Sequence, residues 1–471
     1  MLDSPTLLLL AAIAALGALL AARYWQQALF GVFVLVVFEG ALRKWAFPSA
    51  QAQIYLVKDA ILLAVYLGFV LDARRNQPVL RDVTSIKVVL LLAFIFSCFE
   101  VLNPNSPSIL VGLMGLKVYF LYVPIAFILP YAFKSREHLF HMIWRYLVLA
   151  IPVALLGLIQ VAAGPDSFLN TYVSHSEGPA QLAHFGSENI VRTSGTFSYI
   201  SGYTAFLTFI AFLAIGYNLA NGWRIKNNIV PILALTLVVG AMFTTGSRAP
   251  VYTLIATSPV ILWLAASGRV LPTRTAVRLC LLLPIIAFVA LNLSPRAVDA
   301  FTQRANEAVD STADRLLWPV SQTIWVLSEG PALGMGIGAT HPSTFTIMGT
   351  NEPWWLGDLS AEGEAPQVTI ELGLIGLILI YLPRFLIIGL ALRWALSFKA
   401  PACRALGIVL TTYLTVAIVG QIVFNATANL YYWGAVGLLF AMRRFEQSPR
   451  TQVRPMLVVG RPKLRSISSG S

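Results

Sequence analysis

Basic side chains stand beside long apolar runs at three places where few are expected. Arg192 lies in Val-Arg-Thr-Ser-Gly-Thr-Phe, Arg248 in Thr-Thr-Gly-Ser-Arg-Ala-Pro, and Arg43 with Lys44 in Glu-Gly-Ala-Leu-Arg-Lys-Trp. A guanidinium presents a planar fork of donors that matches phosphate oxygens, and a site at the membrane edge strengthens each contact. Together with Lys117, which lies in an apolar run, they predict a site for a phosphate-bearing lipid. The alternative is that each side chain extends to the lipid headgroups or pairs with an acidic residue.

Candidates for a proton acceptor lie in and after a long polar segment. Glu362 and Glu364 stand in Ala-Glu-Gly-Glu-Ala-Pro, and His341 follows a glycine-rich stretch. Transfer of a glycosyl group from a diphosphate-linked sugar needs stabilisation of the departing diphosphate and a base that orients the incoming hydroxyl. The alternative is that both glutamates are ordinary solvated loop residues without a catalytic role. Glu371 falls inside an apolar run, where an ionised group needs a partner, and is predicted to form a structural ion pair with Arg315.

Other residues are weaker candidates for a functional role. Lys58 and Asp59 lie inside one apolar run, where they could serve a proton path or offset charge. His175 and His184 have no metal-ligand spacing, and the three cysteines form no Cys-x-x-Cys pair. The glycines before His341 predict a turn rather than a phosphate cradle, because they do not join a strand to a soluble helix. No metal ion and no cofactor is predicted.

The composition places all of these residues in a membrane protein. Of 471 residues, 57% are hydrophobic and 11% are charged. Soluble domains carry roughly 25% charged residues, so a soluble domain, a disordered chain and a nucleic-acid-binding module are excluded. The formal net charge of +12 is attributed to the Lys and Arg of cytoplasmic loops rather than to a nucleic-acid partner.

The predicted fold class is an all-α polytopic membrane protein of about 12–14 transmembrane helices with a large extracytoplasmic loop domain of short helices. About thirteen apolar runs approach the roughly 20 residues that a helix needs to cross a bilayer. The positive-inside rule assigns the Lys- and Arg-rich connections to the cytoplasm and the N-terminus to the outside. Apolar spacing predicts two surface helices, over residues 297–309 and 315–327. The predicted segments are transmembrane helices 1–10 over residues 1–293 with an external loop at 164–198, the large loop over 294–366, C-terminal transmembrane helices over 367–442 and a basic cytoplasmic tail over 443–471.

Four segments together resemble the motifs of a known superfamily. They match R-x-x-G-T-F at residues 192–197, T-x-S-R at 245–248, P-x-x-G-x-G-x-G at 331–338, and E-x-G-x-x-G at 371–376. In this order, around a large outer loop, they are similar to the O-antigen ligase and polymerase superfamily of bacterial envelope polysaccharide assembly. The resemblance covers roughly residues 180–440.

The resemblance implies a metal-independent glycosyltransferase of the bacterial cytoplasmic membrane whose active site faces the periplasm. Its donor would be a glycan on undecaprenyl diphosphate, held by Arg192 and Arg248, and its partners would be membrane lipid and a chain-length regulator. The ligases commonly carry a His-Asn pair about nine residues before the E-x-G glutamate, where this chain has residues 361–364. This departure favours a glutamate base, with His341 in reserve, and a polymerase of exopolysaccharide or O-antigen repeat units. The alternatives are an O-antigen ligase that acts on lipid A core and a secondary transporter or flippase.

Overall fold

The regular structure is almost wholly helical. The computed structural model describes residues 15–72, 81–173, 182–186, 190–223, 225–267, 273–306, 312–350 and 352–447. One short antiparallel pair joins β1 (His184–Phe185) to β2 (Ile190–Val191). Helices α1 to α16 are Trp25–Ala41, Gln51–Leu71, Thr84–Glu100, Ile109–Phe120, Ile125–Ala132, Arg136–Ala163, Ile200–Ala220, Ile225–Thr244, Arg248–Ser267, Thr273–Asn292, Pro295–Asn306, Thr312–Glu329, Ser343–Met348, Glu364–Ser397, Pro401–Ala417 and Ala426–Gln447.

Several of these helices can cross a membrane. By length and composition, five helices of the described residues qualify singly, or up to seven if each of two bent pairs is one span. The predicted all-α polytopic membrane protein is therefore confirmed. The five are Trp25–Ala46, Pro48–Leu71, Arg136–Ala163, Ile200–Ala220 and Glu364–Ser397.

Breaks in the backbone account for part of the difference between these spans and the apolar runs of the sequence. The run near 109–131 is two helices, α4 and α5, bent by 43°. Pro124 stands at the start of α5, and its ring removes a backbone donor from the helix. The helices Asn228–Thr244 and Pro401–Ala417 are apolar but shorter than a full span. The first predicted run, 5–22, lies largely outside the described residues.

Helices α7 and α16 lie at the centre of the bundle. Most residues of each are buried, as expected of helices that are apolar on all sides. Helix α7 packs against α8, α15 and α16, and α16 also packs against α5. Helices α11 and α12 overlap the segments predicted as two surface helices, and α12 packs against α14; their place at the membrane surface stays a prediction.

A buried ion pair fixes α14 to the rest of the bundle. Glu364, the first residue of α14, pairs with Arg384 of the same element, and both side chains are almost completely buried. An unbroken helix would separate two residues 20 positions apart by about 30 Å, so the pair depends on the non-helical backbone at Gly373, where φ is 62°. The second carboxylate oxygen of Glu364 accepts a hydrogen bond of 2.5 Å from the Val423 amide. The guanidinium also lies over the rings of Tyr381 and Tyr432. Both carboxylate oxygens of Glu364 are thus engaged in structural contacts, which disfavours its predicted role as a catalytic base.

We expect Arg384→Met to lower the free energy of unfolding by about 3–5 kcal/mol, because it leaves a buried carboxylate without its cation. Unfolding of the detergent-solubilised protein by SDS titration measures the change. The matched control is Arg393→Met, which removes an exposed arginine from the same helix and should change stability little. Equal stability of the two variants would contradict the structural role of the pair.

Candidate functional site

The two segments that carry the predicted arginines are bound to each other. The Thr193 amide donates to the Thr244 carbonyl at 3.1 Å, and the two threonine hydroxyls lie 2.6 Å apart. Arg192 Nε donates to the Thr245 carbonyl at 2.8 Å. Two motifs that are about 50 residues apart in the sequence therefore meet at one end of the bundle.

Three arginines gather at this junction, and we call Arg192, Arg248 and Arg304 the arginine cluster. Arg248 Nη1 donates to the Arg304 carbonyl at 3.3 Å, and Arg304 Nη1 donates to the Gly246 carbonyl at 3.2 Å. Burial and the nearby Arg304 guanidinium lower the pKa of Arg192. The positive charge of Arg304 disfavours the charged form of Arg192, so an anion bound here would relieve the repulsion. These contacts place Arg192, Arg248 and Arg304 at one junction.

A large cavity opens at the same end of the bundle. Its volume is about 810 Å³, within the range of roughly 300–1,000 Å³ that is typical of small-molecule sites. Helices α1, α2, α4, α7 and α16 enclose it, together with residues 341–347 and 421–425. We call it the membrane cavity. Its ionisable lining groups, tyrosines aside, are Glu39, Arg43, Lys58, Lys117 and His341.

Two carboxylates pair with the cations of the membrane cavity. Glu39 lies 2.8 Å from Lys58 Nζ and 3.4 Å from Arg43 Nη1. Asp59 lies 2.6 Å from Lys117 Nζ and accepts a hydrogen bond from Tyr122. These side chains come from α1, α2, α4 and the turns that follow α1 and α4, so the ion pairs also join those elements.

The ring of Tyr55 lies among the three cations. Lys58 Nζ is 3.8 Å, Lys117 Nζ 4.4 Å and the Arg43 guanidinium carbon 5.3 Å from its centroid. An aromatic face attracts cations through its quadrupole. Tyr55 therefore helps to keep three positive side chains in one place.

The two basic residues of a single π-helical turn, Leu42–Ala46, make different contacts. Lys44 Nζ donates to Ser194 Oγ at 3.0 Å and to the Gly195 carbonyl at 2.8 Å. Arg43 lines the membrane cavity and donates to Ser198 Oγ at 3.1 Å. Lys44 thus links the π-helical turn to the segment 192–198 by hydrogen bonds. That segment carries an arginine of the cluster at one end and borders the membrane cavity at the other.

Close backbone contact at Gly40 brings α1 to the same segment. A Cβ atom at Gly40 would lie 2.1 Å from the Ser198 amide nitrogen, so only glycine fits there.

The glycine-rich stretch before His341 is a tight turn, as predicted. Gly334, Gly336 and Gly338 have φ values of 81°, 89° and 88°, which other residues rarely adopt. A Cβ atom at Gly338 would lie 2.5 Å from the Val111 carbonyl oxygen on α4. The glycines therefore serve close packing between the turn and α4.

Glu371 anchors this turn. Its carboxylate accepts hydrogen bonds from the Gly338 amide at 2.9 Å, the Thr340 amide at 2.8 Å, the Thr340 hydroxyl at 2.7 Å and the Tyr119 hydroxyl at 2.7 Å. A carboxylate with this number of donors is well satisfied without a cation. Its predicted partner Arg315 has a side chain outside the described residues, so that pairing stays a prediction.

The Nδ1 atom of His341 is engaged within the turn. It accepts a hydrogen bond of 3.1 Å from the Ser343 amide, so in the neutral ring the proton is on Nε2. In that tautomer neither ring nitrogen has an open lone pair for a proton. Its role as a base is thereby disfavoured, while its position in the membrane cavity is compatible with binding a phosphate or a sugar hydroxyl.

Of the three predicted proton acceptors, Glu362 is the one with an exposed carboxylate. Its amide donates to Gln322 Oε1 at 2.9 Å, which ties the segment before α14 to α12.

The four predicted diphosphate-binding residues fall into two places rather than one. Arg192 and Arg248 belong to the arginine cluster, whereas Arg43 and Lys117 line the membrane cavity. The sequence interpretation gave Glu39, Tyr55 and Arg304 no role. The sequence does indicate a functional or structural role for Glu39, since it is an acidic residue in an apolar run four positions before Arg43. It gives no such indication for Tyr55.

The remaining predicted positions carry no site in the part of the chain that the structure describes. His184 lies in β1, and His175 lies outside the described residues. No group of three or more His, Cys, Asp or Glu residues there could hold a metal ion.

Comparison with known proteins gives no relative: no family model matches the chain, and no curated protein is significantly similar to it.

We expect Glu371→Ala to loosen the turn that holds His341, because four hydrogen-bond donors lose their acceptor. A cysteine placed at the buried Ile337, within the turn, in a chain without its native cysteines, reports the change as faster labelling by a maleimide. Labelling should accelerate at least about tenfold, which corresponds to a weakening of about 1.4 kcal/mol. Tyr119→Phe, which removes one donor only, is the graded control. An unchanged rate in Glu371→Ala would show that the carboxylate does not anchor the turn.

Proposed function

We propose that this chain is a membrane glycosyltransferase that polymerises undecaprenyl diphosphate-linked oligosaccharide repeat units of an exopolysaccharide or O-antigen. The observation that carries the proposal is the placement of the segment 192–198. Three arginines gather at its first residue, and its last residues border a cavity of about 810 Å³. A diphosphate held at the cluster would thus have its attached sugar close to a chamber that can receive a second substrate.

The charges at the two places suit the reaction. A departing diphosphate gains negative charge as its bond to the sugar breaks, and fixed guanidinium groups stabilise that charge without reorganisation. Arg192 and Arg248 present planar donor forks for phosphate oxygens. The hydroxyls of Ser198, Tyr199 and Ser201 at the cavity wall could donate to sugar oxygens.

The transfer balances without a metal ion. An acceptor hydroxyl oxygen forms a bond to the anomeric carbon of the donor sugar, while the bond from that carbon to the phosphate oxygen breaks. The electron pair of the broken bond stays on the diphosphate. The hydroxyl proton passes to a base, and we assign Glu362 because its carboxylate is exposed, whereas that of Glu364 is buried in an ion pair.

The proposed topology has about 12–14 transmembrane helices, an external domain over 294–366 and the active site at the periplasmic face of the bacterial cytoplasmic membrane. The membrane cavity and the arginine cluster lie where α1 and α8 end and α2, α7 and α16 begin. At the opposite end of the bundle, Arg443 pairs with Asp82 at 2.9 Å, close to the basic tail of the chain. The separation of these ends agrees with the positive-inside rule.

Membrane lipid and a chain-length regulator are the proposed partners, and transfer to lipid A core remains the alternative acceptor reaction.

A secondary transporter or flippase is the second candidate, and the buried pairs Glu39–Lys58 and Asp59–Lys117 favour it, since buried ionisable groups often mark ion pathways. Aromatic packing one turn deeper along α7 and α16 weighs against it. Phe206 and Tyr431 are fully buried, and the Tyr431 ring stacks on Phe209 at 4.6 Å. The Tyr431 hydroxyl also lies 2.7 Å from that of Tyr146. None of these aromatic residues lines the membrane cavity, and they fill the bundle interior beside it.

We expect Arg192→Ala and Arg248→Ala each to reduce polymer production at least about 100-fold, because each removes a fixed cation from the departing diphosphate. Polymer length on gels of cells that produce each variant at wild-type level measures the effect. Arg296→Ala is the matched control, since it removes an exposed arginine from the helix that carries Arg304. Full-length polymer from the Arg248 variant would contradict the proposal.

We expect Glu362→Gln to slow chain extension about 100-fold or more through loss of the proton acceptor, with little effect on stability. Initial rates of extension by the purified protein measure the loss. Glu352→Gln, which alters another exposed glutamate of the same loop, should retain full activity. Wild-type rates in Glu362→Gln would show that this residue does not take part in the reaction.

A further inference from the structure

We propose that the membrane cavity is a second phosphate-binding site, distinct from the arginine cluster, and that it holds the diphosphate of the acceptor lipid. The inference rests on the proposed function and specifies its second substrate. A polymerase joins two lipid-linked glycans, so it must place two diphosphates at once.

The charges around the membrane cavity do not balance. Arg43, Lys58 and Lys117 contribute three positive charges, and Glu39 and Asp59 contribute two negative ones. One positive charge is therefore left over among side chains of which Arg43 and Lys58 are more than nine-tenths buried. An uncompensated charge inside a bundle is costly, and a bound anion would remove the cost.

Donor groups at the membrane cavity also lack acceptors. Arg43 Nε is buried and has no hydrogen-bond partner, although Nη1 of the same guanidinium has two. Lys117 Nζ lies against Asp59 as an ion pair but makes no well-directed hydrogen bond. Buried donors are nearly always satisfied in native proteins. A phosphate oxygen between these two side chains would supply the missing acceptors.

Lys58 is not one of the groups that would reach the ligand. Its ammonium donates to the Tyr55 carbonyl at 2.9 Å and pairs with Glu39 at 2.8 Å. Lys58 therefore holds Glu39 in place, and Arg43 and Lys117 are left to face the phosphate. The shared contact with the Tyr55 ring keeps these two cations on one wall.

The rim of the membrane cavity fits a phosphate that is carried by a lipid. Leu56 and Ile347 line the cavity and are 53% and 37% exposed. In a membrane-spanning bundle, exposed apolar side chains at an opening face lipid tails rather than water. An isoprenyl chain could thus remain in the bilayer while its diphosphate enters the cavity sideways, which free phosphate would not require.

Equilibrium binding of a radiolabelled tetraprenyl diphosphate to the full-length protein in nanodiscs tests the proposal. We expect two molecules to bind per chain. Arg43→Gln should weaken the binding of one of them at least tenfold, and Arg192→Ala with Arg248→Ala should weaken the binding of the other.

Glu39 keeps its contact with Lys58 in Arg43→Gln, so the fold should be retained. Lys117→Met with Asp59→Asn removes one ion pair as a unit and should reproduce the effect of Arg43→Gln. Lys399→Gln, an exposed lysine at the opposite end of the bundle, is the control and should bind two.

The outcomes separate the two proposals. A single bound molecule that is lost only in the Arg192 and Arg248 variant would overturn the second site and leave the proposed function standing. No binding to any form would overturn both. Displacement from the membrane cavity by inorganic pyrophosphate at the same concentration as the prenyl compound would overturn the assignment to a lipid-linked ligand.

Discussion

The need to compensate ionised groups inside a lipid-embedded bundle governs this structure. Water is absent from the hydrocarbon region, so each buried charge must meet a counter-charge or a full set of hydrogen bonds. Glu364 with Arg384 and Glu371 with four donors satisfy that rule completely. Each of these carboxylates also fixes an irregular segment at the membrane cavity: Glu364 the turn at Val423, and Glu371 the turn before His341. Buried acids on one helix thereby set the shape of the cavity wall.

The same rule is met only in part at the membrane cavity, and this exception points to a ligand. The cavity retains one excess positive charge, and Arg43 Nε and Lys117 Nζ at its wall have no hydrogen-bond acceptor. Tight backbone contact at Gly40 and Gly338 holds its walls, and the Lys44 contacts join it to the segment that begins with Arg192. Anion-binding groups on both sides of one rigid segment are the arrangement that a transfer between two phosphate-bearing lipids requires.

Fold class followed directly from composition, because a chain with so few charged residues can bury its surface only in lipid. The sequence also predicted the turn at the glycines before His341. It did not predict the pairing of Glu364 with Arg384, since two residues 20 positions apart meet only because the backbone of α14 leaves the helical conformation at Gly373. Nor could spacing separate Arg43 and Lys117 from the arginine cluster. Helix order in space decides that, and hydropathy contains no information on helix order.

The most direct test of the account is incubation of the purified protein in liposomes with one undecaprenyl diphosphate-linked repeat unit, without an ion gradient and in the presence of EDTA. The account predicts a ladder of products whose glycans grow by one repeat unit. Transfer only to added lipid A core would replace the polymerase by a ligase. Unchanged substrate, under conditions in which a known polymerase forms a ladder, would contradict the central claim.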